Sequence, residues 1–119
     1  LRSTFHIYGR YTSVVHLQSA FLTALLEETV FRYALQNLLL SGIGYPGVLV
    51  AGVAFVAVHI ALNPSSRRLL VCLDLLVFSL AVGTLNWWTG SFYPALIIHG
   101  MRNYILRVLL LTREADPLD

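Results

Sequence analysis

The 119-residue sequence contains one cysteine, no lysine and little charge of either sign. With Cys72 alone, no intramolecular disulfide can form, and its place in an apolar run makes it a small buried hydrophobe. The basic residues are eight arginines against six acids, a net charge of +2, and they are scattered along the chain. That leaves no basic stripe to follow a nucleic acid backbone, which excludes nucleic acid as a partner. Charged residues make up 12% of the chain and hydrophobic ones 57%, with no charge at all between Tyr33 and Ser66 or between Leu75 and Met101. A soluble domain carries about 25% charged residues, so these stretches suit lipid better than water. Internal repeats, low-complexity tracts, linkers and a sustained heptad seam are also missing. No charged, apolar, then small-residue pattern marks a cleavable signal, and the chain begins at Leu1 rather than Met. The length fits one domain, residues 1–119, with a core over about 13–112.

Four apolar segments remain. The first runs from about Ser13 to Leu40 without internal Gly or Pro, with Ser13 as its N-cap. It predicts a helix of roughly 28 residues and 42 Å, ended by Ser41-Gly42-Ile43-Gly44-Tyr45-Pro46-Gly47. The second, Gly47 to Asn63, is continuously apolar without alternation and reads as a short membrane helix, closed by Asn63-Pro64-Ser65-Ser66-Arg67-Arg68. The third extends from Leu69 to Trp88, interrupted only by Asp74, and closes at Asn86-Trp87-Trp88-Thr89-Gly90-Ser91. The fourth runs from Pro94 to about Leu111, leaving Thr112 to Asp119 as a polar tail. The expected architecture is an all-α integral membrane protein, a four-transmembrane-helix bundle.

Four crossings put Arg2, Arg10, Arg67, Arg68 and Arg113 on one side and leave both opposite loops uncharged, so both termini are expected in the cytoplasm. Tyr45, Trp87, Trp88, Phe92 and Tyr93 then gather at the far interface as an aromatic belt.

Within these spans sit Glu27, Glu28, Arg32, His59, Asp74, His99, Arg102 and Asn103. An ionisable group at the centre of a bilayer costs at least about 2.5 kcal/mol on insertion scales, so each needs a partner or a function. Glu28 and Arg32, four apart, can pair on one helix face, while Glu27 points about 100° from Glu28 and is freer to face a site. His99 and Asn103 repeat the four-residue spacing. Counted at 1.5 Å per residue, Glu27 lies roughly 21 Å from the Ser13 end of its helix, and His99 and His59 roughly 8 and 18 Å from the opposite interface, a shared middle depth. A carboxylate, two imidazoles and a carboxamide can supply the base, oxyanion donors and acid of peptide hydrolysis. Glu27, His59 and His99 also make up one oxygen and two nitrogen donors with room for water, a set that suits catalytic Zn²⁺. Asp74 reads as a helix-start residue near the cytoplasmic side, and His6 and His16 as interfacial. Arg102 is open between a substrate carboxylate, snorkelling and a pair with Asp74.

Glu27-Glu28-Thr29-Val30-Phe31-Arg32, Phe55-Val56-Ala57-Val58-His59 and His99-Gly100-Met101-Arg102-Asn103 stand in the order and near the intervals of the CAAX protease and bacteriocin-processing (CPBP, or Abi) family, which the chain resembles from about Leu22 to Tyr104. The resemblance implies an intramembrane endopeptidase in which water activated on Glu27 attacks the peptide, with His59 and either His99 or Asn103 completing the site. Glu28 and Arg32 then serve as supports that orient Glu27. It also implies a lipidated, CAAX-like or other membrane-associated peptide substrate, membrane lipid as surroundings, and a multi-pass location in a prokaryotic plasma membrane. Full-length members carry additional flanking helices, so the sequence reads as the catalytic core of that fold. Members that act as nonproteolytic regulators or bacteriocin immunity proteins are the alternative.

Overall fold

The structure, a computed structural model, describes the backbone of residues 2–115 and the side chains of residues 13–113. The expectations for Arg2, His6 and Arg10 concern side chains outside this range, as does the end of the tail, residues 116–119. All described elements are helical. In order they are α1 (Arg2–Glu28), a π-helical segment (Thr29–Gln36), α2 (Asn37–Ile43), α3 (Pro46–Leu62), a 3₁₀ turn (Pro64–Arg67), α4 (Leu69–Thr89) and α5 (Tyr93–Ala115). The backbone stays in the right-handed helical region at Glu28, Gln36 and Asn37, so the helical backbone continues from each of the first three elements into the next.

Two sequence-based boundaries are corrected. The first helix begins at Arg2, not at Ser13, and runs on to Ile43. Ser13 is therefore an interior residue, and its hydroxyl pairs with the Tyr104 hydroxyl at 2.8 Å instead of capping a helix. The depth of Glu27 counted from Ser13 loses its origin with that change. At the other end α5 continues through Thr112, which the sequence placed in a polar tail. The Thr112 hydroxyl bonds back to the Val108 and Leu109 carbonyls, so a polar side chain is accommodated without leaving the helix.

The remaining helix ends follow the local chemistry. Pro46 stands in the first turn of α3, where a missing N–H costs no hydrogen bond. Gly90 closes α4 with φ +64°, the left-handed conformation that glycine adopts without a Cβ penalty. Among the described residues two helices, Leu69–Thr89 and Tyr93–Arg113, are long and apolar enough to cross a membrane, and Pro46–Leu62 is a shorter apolar helix of 17 residues.

The chain divides into two compact units, residues 26–95 and residues 1–25 with 96–119. The core of the first is Phe31, Phe55, Val56 and Leu75, with Leu35, Ala54, Ile60 and Leu76 packed around it. Phe31 and Phe55 meet edge to face at 5.2 Å between ring centres, the arrangement the ring quadrupoles favour. Of the expected aromatic belt, Tyr45 packs edge-on against Trp87 and Phe92 lies beside Tyr93, while Trp88 is largely exposed. A cleft of about 390 Å³ opens there between Tyr33, Asn86, Trp87 and Phe92. Cys72 is only half-buried, and its thiol donates to the Ser66 carbonyl at 2.9 Å. The Cys72 thiol thus has a polar contact that an apolar run did not suggest.

Candidate active site

Glu27 is the penultimate residue of α1 and His59 lies in the last turn of α3. Their side chains meet, with Glu27 Oε1 3.7 Å from His59 Nε2, and both are partly accessible, 25% and 19%. The orientation of the imidazole is fixed from behind. His59 Nδ1 lies 2.9 Å from the Phe55 carbonyl one turn earlier. A carbonyl can only accept, so Nδ1 carries a proton, and Nε2 is the ring atom turned toward the carboxylate. The Phe55 ring stacks on the same imidazole with 4.2 Å between centres.

Glu28 and Arg32 are both fully buried and form an ion pair at 3.3 Å, the pairing expected from their four-residue spacing. Arg32 Nη2 also donates to the Ser79 hydroxyl on α4 at 2.7 Å, and its guanidinium carbon lies 5.4 Å over the Phe55 ring. A second buried amide extends this column, with Gln36 Nε2 donating to the Gly83 carbonyl at 2.8 Å. On an α-helix, residues at i, i+4 and i+8 drift by about 40° per step. The π-helical stretch from Thr29 to Gln36 has a wider turn that offsets this drift, so Glu28, Arg32 and Gln36 are all fully buried.

Buried charge and apolar helices thus form a supported Glu27–His59 pair. Ser79 and Gln36, which stood in no motif, belong to the support. Gln36 had a signal, since it continues the Glu28, Arg32 spacing, but Ser79 is 47 residues from Arg32 and nothing local marks it.

His99 and Asn103 lie on α5, in the other unit, one turn apart. His99 is buried, 2% exposed, and Asn103 is partly buried with its amide 3.5 Å from the Ala20 carbonyl. Asp74 is exposed on the second turn of α4. Among the described residues no three His, Cys, Asp or Glu side chains gather as a group able to hold a metal ion. Glu27 and His59 supply two donors of the expected zinc set.

Residues 10–105 match the family described as type II CAAX prenyl endopeptidase Rce1-like, and the chain belongs to that membrane-embedded protease family. The family read from the three motifs is thereby established. No curated protein and no solved structure matches the chain.

Proposed function

We propose that the chain is the core of an intramembrane endopeptidase, which hydrolyses a prenylated CAAX-type peptide with a water held between Glu27 and His59. The Glu27–His59 geometry carries this reading. With His59 neutral, Oε1 and the Nε2 lone pair are both acceptors, and they face each other at 3.7 Å. One water can donate to both, which turns its own lone pair outward to the substrate carbonyl. Glu27 takes the proton as the water oxygen bonds to the carbonyl carbon. The sequence motif offers His99 and Asn103 as donors for the developing oxyanion. Collapse breaks the C–N bond, and the proton held by Glu27 passes to the leaving amine. In a CAAX substrate the lipid sits on a cysteine near the C-terminus, and cleavage after that cysteine frees the last three residues.

In a zinc alternative Glu27 and His59 would hold the ion, which would supply Lewis-acid activation of water. A chelator titration of the purified protein separates the two. Activity that survives exhaustive chelation supports the metal-free route, and activity lost and then restored by Zn²⁺ supports the other.

The deciding experiment compares membranes of wild-type and Glu27→Gln strains. Full-length lipidated substrate is expected to accumulate in the variant and to be processed again on complementation. If no membrane peptide differs between the strains while the phenotype persists, a nonproteolytic regulator or immunity protein is the better reading.

A further inference from the structure

Resting on the peptidase reading, we propose that Arg107 is the specificity residue that grips the free C-terminal carboxylate of the substrate. Arg107 lies in the apolar span Tyr93–Arg113 of α5. Among the described residues no carboxylate pairs with it, and its partners are two hydroxyls on α1. Arg107 Nη1 donates to the Ser19 hydroxyl at 2.6 Å, and Nη2 approaches the Thr23 hydroxyl at 3.5 Å. The Thr23 proton is itself committed to the Ser19 carbonyl at 2.9 Å, so its oxygen is left as an acceptor for the arginine. Hydroxyls hold the guanidinium in place without neutralising it. Among the described residues two of its five N–H groups are used, and the planar fork has further donors for a second, anionic partner.

The position fits a three-residue leaving group. His99, Asn103 and Arg107 follow one another at four-residue intervals on α5, so Arg107 lies roughly 12 Å along the helix from His99. An extended tripeptide spans about 10–11 Å at 3.3–3.6 Å per residue. With the scissile carbonyl at His99 and Asn103, the terminal carboxylate reaches Arg107. Arg102, three residues and roughly 4.5 Å from His99, is too near to read that end. A charge-assisted pair between guanidinium and carboxylate also supplies what an endopeptidase of this class needs, a way to reject the same sequence inside a longer chain.

The test uses the full chain in nanodiscs of zwitterionic phosphatidylcholine. Two lipidated CAAX tetrapeptides are compared, one with a free C-terminal carboxylate and one with a carboxamide. Wild type is expected to prefer the acid on the order of 10-fold or more in kcat/KM. The Glu27→Gln protein, which cannot turn over, is expected to bind the acid more tightly by a similar factor. Arg107→Gln should bring the acid down to the level of the amide, and Arg107→Lys should keep part of the preference, which guards against loss through misfolding. Equal handling of acid and amide by wild type overturns the assignment, as does a preference that persists in Arg107→Gln. So does an equal loss for both peptides that anionic lipid reverses, which would assign Arg107 to a headgroup phosphate. Cleavage without preference removes this proposal and keeps the peptidase. Arg107-dependent preference in binding without any cleavage does the reverse.

Discussion

Phe55 joins the buried ion pair to the accessible Glu27–His59 pair. Its ring lies under Arg32 and against His59, and its carbonyl fixes the imidazole proton on Nδ1. Truncating a buried Phe to Ala costs about 3–5 kcal/mol, so Phe55→Ala tests mainly folding. Phe55→Leu keeps most of the volume but removes the flat face, and its expected signature is kcat falling more than thermal stability while KM holds. Steady-state kinetics beside a melting curve in detergent check that split. Ser79 makes a different contribution. Ser79→Ala removes the acceptor of Arg32 Nη2 and leaves a buried cationic donor short of a partner, a cost of about 1–3 kcal/mol. Arg32→Met, which leaves Glu28 buried without its cation, is expected to cost more, about 3–5 kcal/mol. The order Arg32→Met over Ser79→Ala in loss of melting temperature is the measurement. Glu28, Arg32, Phe55 and His59 were legible because a helix brings residues four apart together, so the pattern was local. Ser79 was not, because its partner is chosen by how α4 packs on the π-helical segment, and no spacing along the chain encodes that.

At the scale of elements, the helix ends set by Pro46, Gly90 and the Asn63–Arg68 punctuation were readable because backbone geometry there depends on one or two residues. The start of α1 was not. Residues before Ser13 lack apolar periodicity, and Ser13 has the chemistry of a cap, yet its hydroxyl finds a partner in Tyr104 across the unit formed by α1 and α5. The π-helical stretch was equally hidden, since Thr29–Gln36 is an ordinary amphipathic sequence and its wider turn has no residue signature. Gly83 constrains the same region from α4. A Cβ there would sit 2.8 Å from Gln36 Oε1 and 2.9 Å from Val48 Cγ1, so Gly83→Ala is expected to cost about 1–3 kcal/mol in thermal unfolding.

At the scale of the whole molecule, the surface of α4 fits a lipid environment. Leu69, Leu70, Val77 and Trp88 are each more than two-thirds exposed or nearly so, on a helix of mean hydropathy 2.1. In water such a face would drive association, whereas in hydrocarbon it needs no partner. The apolar runs of α4 and α5 were plain in the sequence because transfer to lipid depends on composition summed over a window and not on any contact. Which side each loop occupies is decided by the arginines, and this yields the broadest prediction. Arg67 and Arg68 flank the loop between α3 and α4, while the loop between α4 and α5, centred on Gly90 and Ser91, has no charge. Translocating two guanidinium groups is costly, so the first loop is expected to be retained in the cytoplasm and the second to cross. Single cysteines at Ser65 and at Ser91, each in a Cys72→Ala background, report this directly. A membrane-impermeant maleimide applied to intact cells is expected to label the Ser91→Cys protein and to reach Ser65→Cys only after permeabilisation. Replacing Arg67 and Arg68 with Gln should weaken that asymmetry if the charges set it. Labelling of both sites from outside in the parent protein would mean that α4 does not span, and with it the placement of His59 and Glu27 within the bilayer would fall.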